Sequence, residues 1–392
     1  MLVIAQTISI IIAAYLGLSG LYQLTLALAS KTKGKALCAF DGELRKFLIL
    51  VPAYQEDSVI VQSTKKNMAL KYLYPNAKFD YVVISDGLKE ETNAVLKNLG
   101  AQVHKVQFEK STKVKSLQSA MKAYDHNYDG VLILDADNTA HVNYLFRSSH
   151  YLSCGHQVIQ GIRKAANQQT SFALLDGLSE AANTEMLCKG ANRLGLSSKL
   201  SGSSMVFDYQ LFKGLVHQLE AIGGFDKELE LAITKMGIKI HYAEDLVVYD
   251  EKVGNAASFA KQRGRWLQSQ YSFFQKSFAS AVTRLLSGQV DYFHKVMQLA
   301  LPPRVLGPFG LFVLSALGFV FNFPTLGVLS LSGLIATLGS YVLVLPVPQL
   351  AKHSLSILSS MPQLVCSTFK ALSLMKKSRK TFIHTKHEFA HS

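Results

Sequence analysis

The chain has 392 residues, enough for one large or two ordinary domains, and 49% of them are hydrophobic. Its formal net charge is +14, and the basic residues flank apolar blocks at residues 1–30 and 304–346. Basic residues beside apolar spans are typical of the cytoplasmic side of a membrane protein, so a lipid bilayer is expected as a partner and nucleic acid is not. The cysteines predict neither a zinc site nor a disulfide framework, because they lie far apart without ligand spacing. A reduced, cytosol-facing domain is therefore expected.

The first element is an uncharged apolar run, Leu2 to Ala29, long enough to span a bilayer. Residues 1–30 are predicted to form a transmembrane helix. Lys31, Lys33 and Lys35 follow at once, which keeps the next segment in the cytoplasm. A cleaved signal peptide is the alternative, because residues 27–29 read Ala-Leu-Ala. The missing basic start and the length of the run favour an anchor.

Residues 45–255 alternate strand-like and helix-like patterns, which predicts an α/β domain with a mostly parallel sheet. Three short apolar strands are expected at Phe47–Val51, where Pro52 stops the strand, at Tyr81–Ile84 and at Val131–Leu134. A helix is expected at Lys113–Tyr124. Polar residues follow each strand, and ligands bind at that edge of open α/β sheets.

The third strand ends in Asp135-Ala136-Asp137, which places two carboxylates near one point. Neither a G-x-G-x-x-G sequence nor a Walker lysine motif is present, so the two commonest nucleotide-binding solutions are missing. Mg²⁺ and Mn²⁺ bind such oxygen ligands and share them with phosphates. The pattern therefore predicts a Mg²⁺ or Mn²⁺ site for a phosphorylated ligand.

The last third is predicted to be membrane-associated. Residues 256–303 are expected to form interfacial helices, and residues 304–346 a transmembrane hairpin of two apolar runs that turns at residues 322–324. Residues 347–392 form a basic cytoplasmic tail. Its segment 351–375 is expected to be an interfacial helix, with a further span as the alternative. One anchor and one hairpin give a multi-pass protein of a bacterial inner membrane, with its catalytic domain in the cytoplasm.

Taken in order, these motifs and the Q-R-G-R-W sequence at residues 262–266 resemble the family 2 inverting glycosyltransferases. The resemblance is strongest to their membrane-embedded, polysaccharide-synthase-like branch, which includes cellulose, chitin and hyaluronan synthases. It covers about residues 45–275. It implies a GT-A fold, a nucleotide-diphospho-sugar transferase domain flanked by transmembrane helices.

The resemblance implies a donor site. Residues 52–56, Pro-Ala-Tyr-Gln-Glu, look like the family's P-A-Y-N-E, with Gln55 in place of asparagine. Lys113 falls where the family has a lysine near the diphosphate, with Lys115 as a rival, and Asp137 is the firmer metal ligand. The nucleotide-binding residues implied are Pro52, Tyr54, Glu56, Asp86, Lys113 and Asp135, and the metal ligands are Asp137 and Asp135.

It also implies an acceptor site and a base. Asp226 matches the catalytic base, although Phe225 replaces the family's preceding glutamate, and Glu228 is the runner-up. Glu228 and Glu230 could also be a solvated helix face, and the Glu244-Asp245 pair is interpreted as structural. The residues implied for the acceptor and the diphosphate are Gln262, Arg263, Arg265, Trp266, Gly202 and Ser203.

The function implied is a membrane-bound, metal-dependent transfer of a sugar from a nucleotide-sugar, with UDP favoured, to a hydroxyl of a growing polysaccharide or glycan. One alternative is a single transfer to a polyprenyl-phosphate or other lipid-linked acceptor. Another is a non-catalytic membrane subunit that binds nucleotide-sugar. Export or polymerisation subunits are candidate partners.

Overall fold

The computed structural model describes residues 2–70, 78–166, 170–252, 256–346 and 353–375. Its centre is an eight-stranded sheet with the strand order β3-β2-β1-β4-β7-β6-β8-β5. The strands are β1 (Phe47–Tyr54), β2 (Phe79–Asp86), β3 (Gln102–Val106), β4 (Gly130–Ile133), β5 (Thr139–Ala140), β6 (Val158–Ala165), β7 (Met205–Asp208) and β8 (Ile240–Asp250).

In the described ranges, thirteen helices precede, surround or follow this sheet. They are α1 (Leu2–Ser30), α2 (Asp57–Met68), α3 (Glu90–Asn98), α4 (Lys113–Ala123), α5 (Tyr144–Ser153), α6 (Ser171–Asn183), α7 (Tyr209–Val216), α8 (Phe225–Lys235), α9 (Ala256–Leu286), α10 (Val290–Gln298), α11 (Leu306–Val320), α12 (Pro324–Val344) and α13 (Ser354–Leu374). After α6 the chain continues as a π-helix, Thr184–Gly190, and a short turn of α-helix, Ala191–Arg193.

The sheet is mixed rather than mostly parallel, which corrects the expectation from sequence. The half made of β3, β2, β1 and β4 is parallel, but β7 runs antiparallel to both β4 and β6. At the other edge β5 is antiparallel to β8. A four-residue strand such as β7 carries no information about its direction, so the sequence pattern could not distinguish the two arrangements.

The first strand does not stop at Pro52, as the sequence had suggested, but continues to Tyr54. Its pairing with β4 ends at Leu50, whereas its pairing with β2 continues from Phe47 to Tyr54. Pro52 therefore lies where one side of β1 has no partner strand. A residue without an N–H is tolerated there, as on an edge strand.

Apolar side chains pack on both faces of β1. Leu48 and Leu50 belong to one buried cluster, with α4, α7 and α8, while Ile49 and Val51 belong to a second cluster on the other face. A strand buried on both faces reads as a continuous apolar run, as this one does. The residues at the carboxyl ends of β1 and β2 line a cavity.

Two helices in the described parts of the chain are long and apolar enough to cross a membrane by length and composition, Val3–Ser30 and Pro324–Val344. Core helices and signal sequences can meet the same criterion. The two helices touch closely, because a Cβ added at Gly333 would lie 2.7 Å from the Cα of Gly17. Helix α11 has only 15 residues, fewer than the about 20 that a span needs, so the hairpin has one long and one short arm.

The rest of the C-terminal third includes the helices α9 and α13. Residues 256–286 form one continuous helix, α9, which packs against α10 and α13. Helix α13 occupies most of the predicted interfacial segment 351–375. The basic residues predicted for the tail at 376–392 lie outside the described residues.

Cys38 and Cys154 form a disulfide, although the sequence had predicted none. The bond ties the segment between α1 and β1 to the end of α5, across 116 residues of sequence. Spacing along the chain gave no signal because the two cysteines approach only once the domain has folded. Cys188 and Cys366 are free thiols.

Candidate active site

One cavity of about 1570 Å³ opens at the carboxyl ends of β1, β2 and β4 and extends to helices α11, α12 and α13. All of the site residues predicted from the sequence line it, with the exception of Ser203. Ser203 is fully buried, and its hydroxyl accepts a hydrogen bond of 3.1 Å from the backbone N–H of Asp135. It therefore holds the Asp135 segment in place from beneath the cavity.

Tyr54 and Asp86 end two neighbouring parallel strands at the same register position. The backbone N–H of Gln55 donates a 3.0 Å hydrogen bond to the carbonyl of Asp86, which fixes the turn after β1. Gln55 has a φ of 55°, in the left-handed region that asparagine adopts more readily than most residues. Burial raises the pKa of Asp86, and a hydrogen bond with Ser111 opposes this rise.

Three carboxylates, Glu56, Asp135 and Asp137, meet at the edge of the sheet. Asp137 is buried and oriented by two donors, the Asn138 side-chain amide at 2.9 Å and the Glu251 backbone N–H at 3.2 Å. Burial, followed by the charges of Asp137 and Asp135, raises the pKa of Glu56 to about 8. Crowded carboxylates of this kind form a donor set that suits a hard divalent cation.

Lys113 joins the carboxylate cluster to the segment around Gly202. Its ammonium group contacts the carboxylate of Asp135 and donates a 2.8 Å hydrogen bond to the carbonyl of Gly202. The hydroxyl of Thr112 caps α4 by accepting a hydrogen bond of 3.2 Å from the N–H of Lys115. The side chain of Lys115 bonds the carbonyl of Lys110, so Lys113 is the lysine that engages the carboxylates.

Asp226 lies in the first turn of α8, after Gly224, whose φ of 74° begins the helix. Its carboxylate lies 3.6 Å from the ammonium group of Lys227, and its Cβ would be 4.0 Å from a Cβ added at Gly202. The positive end of the helix dipole favours a carboxylate in this turn. Asp226 thus lies beside the Gly202 segment that Lys113 holds.

The neighbouring glutamates have different partners. Glu228 accepts hydrogen bonds from the backbone N–H groups of Glu220, at 3.0 Å, and Ala221, at 2.8 Å. Glu230 is buried, accepts from the N–H of Leu200 at 2.6 Å and lies 3.8 Å from Lys295. The interpretation of Glu230 as part of a solvated helix face is therefore wrong, and both carboxylates stabilise the fold around α8.

The Q-R-G-R-W sequence lies on α9 and lines the cavity through Gln262, Arg263, Arg265 and Trp266. The Arg263 guanidinium contacts Asp176 at 2.5 Å and lies 4.6 Å from the Trp266 ring centroid. Trp266 remains 38% exposed, so part of the indole is free to contact a ligand. Burial lowers the pKa of Arg265.

A buried ionic network beneath the carboxylates was not predicted. Arg163 and Lys252 both contact Glu180, Lys252 lies 2.7 Å from Asp250, and Arg163 lies 4.0 Å from Asp135. Burial raises the pKa of Glu180, but the two cations outweigh it and lower the value to about 2. The sequence feature that could have indicated this network is the charged triplet at residues 250–252. Like the D-x-D triplet, it lies at the end of a strand.

A family model described as glycosyltransferase like family 2 matches residues 45–269. The chain belongs to this family. The match covers the sheet, the carboxylate cluster, Asp226 and the Q-R-G-R-W sequence. It confirms the family suggested by the sequence motifs, and the mixed sheet is that of an α/β, GT-A-like glycosyltransferase fold.

Among solved structures, this glycosyltransferase-like chain is similar to the mannosyltransferase PcManGT from Pyrobaculum calidifontis, solved with GDP-Man and Mn²⁺. The identity is 15% and the TM-score 0.57, over 95% of this chain and 99% of that one, which shows a shared fold. A second structure is the glucosyl-3-phosphoglycerate synthase of Mycobacterium tuberculosis with Mn²⁺, UDP and phosphoglyceric acid. It has 17% identity and a TM-score of 0.38 over 53% of this chain and 72% of that one. No curated protein matches the chain.

Proposed function

We propose that the chain is a membrane-bound, metal-dependent, inverting glycosyltransferase that moves a sugar from a nucleoside diphosphate to an acceptor hydroxyl. The observation that carries this proposal is the convergence of Asp135, Asp137 and Asp226 on one cavity, with Lys113 between them. Residues 45–255 are the proposed catalytic domain. Helix α1, helices α9 and α10, and the pair α11 and α12 are the proposed membrane-associated parts.

The donor half of the cavity is formed by the ends of β1, β2 and β4. Pro52, Tyr54 and Asp86 are placed to border the base and ribose, and Lys113 and Asp135 the diphosphate. Family resemblance favours UDP, whereas the mannosyltransferase of similar fold was solved with GDP-Man. A panel containing both kinds of donor is therefore the appropriate test.

A divalent cation fits the carboxylates of this half. Asp137 and Asp135 are its proposed ligands, and Mn²⁺ accompanies the nucleotide in the structure of similar fold. Such a cation, when bound, supplies positive charge beside the leaving diphosphate. The two donors that orient Asp137, Asn138 and the Glu251 backbone, keep its oxygens in a fixed position for this task.

In the proposed reaction the acceptor oxygen forms a bond to the anomeric carbon on the face opposite the donor diphosphate. The bond from that carbon to the diphosphate oxygen breaks, and the diphosphate leaves with the electron pair. Asp226 takes the acceptor proton, a role that typically contributes about 10²–10⁴-fold. Lys113 and Arg265 place positive charge near the departing phosphate.

The acceptor enters from the side of α9, where Trp266 exposes part of its indole ring. A flat aromatic ring suits stacking on a sugar, which supports a polysaccharide or glycan acceptor. A lipid-linked acceptor is the second candidate, because the same cavity continues between the apolar helices α11, α12 and α13. Export or polymerisation subunits are proposed partners for a long product.

The test is nucleotide release from a panel of UDP- and GDP-sugars by membranes that contain the chain, with Mn²⁺ or Mg²⁺. Release from one donor is expected, and Asp226→Asn is expected to abolish it while nucleotide binding survives. Nucleotide binding without release from any donor, with or without added acceptors, would instead favour a non-catalytic subunit. Loss of binding together with release in Asp226→Asn would indicate a damaged fold.

A further inference from the structure

The cavity has a second, apolar half, to which none of the residues proposed to bind the donor or to act as the base belongs. It lies between α11, α12 and α13, and we call it the apolar chamber. The residues that define it are Phe309, Phe312, Leu334, Leu338, Leu364 and Val365. Leu338 is 48% exposed and Phe312 61% exposed, so the chamber also opens sideways between the helices. Apolar side chains of this kind bind hydrocarbon rather than sugar.

Arg304 lies in the turn that precedes α11, among the residues that line the cavity. One of its terminal nitrogens, Nη2, bonds the side-chain oxygen of Asn183. The other, Nη1, is buried and has no hydrogen-bond partner among the described residues. A buried guanidinium nitrogen without an acceptor is unfavourable unless a ligand supplies one.

A second arginine stands near the first. Arg263 lines the same cavity, close enough for its positive charge to act on Arg304. Asp176 pairs with Arg263, whereas no ion pair of Arg304 is found in the described part of the chain. The border between the polar half and the chamber therefore has a positive charge that an anion could balance.

We propose that the apolar chamber and Arg304 bind an alkyl phosphate lipid, with its hydrocarbon chain in the chamber and its phosphate at Arg304. The acceptor hydroxyl then belongs to a group that is linked to the lipid through that phosphate. The proton of this hydroxyl passes to Asp226, as in the proposed reaction. This inference rests on the proposed function and specifies its acceptor. An arginine fork is well suited to phosphate, and each buried methylene strengthens binding roughly fourfold.

Binding can be measured without turnover. The full chain, in phosphatidylcholine nanodiscs, is incubated with radiolabelled dodecyl phosphate, and retention by empty nanodiscs is subtracted. Dodecanol tests binding of the hydrocarbon without the phosphate, and inorganic phosphate tests binding of the head group without the hydrocarbon. We expect saturable retention of dodecyl phosphate, with excess unlabelled dodecanol or inorganic phosphate each competing at least about tenfold more weakly.

Two pairs of variants assign the site. Arg304→Gln is expected to weaken dodecyl phosphate binding about tenfold or more and to leave dodecanol binding unchanged, whereas Arg304→Lys keeps part of the affinity. Leu338→Phe is expected to fill the chamber and weaken both ligands. Leu331→Phe is the matched control, because Leu331 lies on the same helix, is 40% exposed and does not line the cavity.

Equal retention by the chain and by empty nanodiscs, or full affinity in Arg304→Gln, would overturn this proposal. Binding of UDP with Mn²⁺, measured on the same samples, separates this outcome from failure of the proposed function. If nucleotide binds and is released from a donor sugar but dodecyl phosphate is not retained, the enzyme proposal stands and the lipid acceptor is wrong. If dodecyl phosphate binds through Arg304 but no donor is turned over, the lipid site stands and the transfer does not.

Discussion

The ammonium group of Lys113 lies 4.9 Å from the centroid of the Phe225 ring. Phe225 replaces the glutamate that the family has before its catalytic aspartate. A carboxylate in this place would compete with Asp135 for Lys113, whereas an aromatic face attracts the cation without taking it from Asp135. The phenylalanine therefore preserves the contact of Lys113 with Asp135 and leaves Asp226 as the proposed base.

Replacing Phe225 with leucine should weaken the donor site. Leucine fills most of the buried volume but has no ring to face Lys113, and cation–π contacts contribute about 0.5–2 kcal/mol. We expect Phe225→Leu to raise the KM for the nucleotide-sugar roughly threefold to tenfold, and Phe225→Tyr to leave it nearly unchanged. An equal loss in both variants would mean that the ring serves only to fill space.

Substitution of Asp226 should mainly lower nucleotide release, whereas substitution of Glu228 should mainly lower stability. Glu228→Gln replaces a charged acceptor of two backbone N–H groups with a neutral one, so we expect it to lower the free energy of unfolding by about 1–2 kcal/mol. Its nucleotide release, measured well below the melting temperature, should stay within a few-fold of the parent. Asp226→Asn should lose about 10²–10⁴-fold in release, while the loss of its interaction with the helix dipole should lower the free energy of unfolding by no more than about 1 kcal/mol. The reverse pattern would make Glu228 the base.

The sequence predicted which strands carry polar residues to the cavity, because β1, β2 and β4 are apolar runs with polar residues at or directly after their ends. It also predicted α4, whose observed bounds are Lys113–Ala123. It could not predict the direction of β7 or the Cys38–Cys154 bond, since both depend on contacts between distant segments. It also missed the partners of Glu230, because helix periodicity does not show that Lys295 lies against that face.

The buried network at Glu180 should be a major source of stability. Glu180→Gln would leave Arg163 and Lys252 buried with less negative charge, and breaking a buried pair typically costs about 3–5 kcal/mol. We expect a large fall in Tm. Glu185→Gln, whose partly exposed pairs with Lys31 and Lys189 have long distances of 3.8 Å and 3.9 Å, should change the free energy of unfolding by less than about 1 kcal/mol. Similar melting of the two variants would contradict this account.

Lys199 should make stability depend on pH. Burial, and then the charge of Lys227, lowers the pKa of Lys199 from 10.5 to about 8. Between these values the unfolded chain binds more protons at this group than the folded chain, so its contribution to the free energy of unfolding rises with pH. Lys199→Met should raise the Tm at pH 7 and flatten its rise from pH 8 to 10. The exposed control Lys239→Met should keep the slope of the parent, and an unchanged slope in Lys199→Met would contradict the prediction.

The disulfide provides a test of the proposed topology. Lys31, Lys33 and Lys35 follow α1, which favours a cytoplasmic catalytic domain, and cytoplasm keeps thiols reduced. We therefore expect Cys38 and Cys154 to be free in cells and to form the observed bond when the protein is purified in air. Denaturation in a thiol-alkylating reagent, followed by mass spectrometry, should then find all four cysteines alkylated in rapidly quenched cells. In air-purified protein only Cys188 and Cys366 should be modified.

The control is Cys188→Ser, which should lower each count by one without changing the difference between the two samples. If only Cys188 and Cys366 are alkylated even in quenched cells, the bond exists in the cell. The catalytic domain would then lie in an oxidising compartment, because structural disulfides are rare in the reducing cytoplasm. The orientation inferred from the lysines after α1 would be wrong, and the donor nucleotide would have to be available on the opposite side of the membrane.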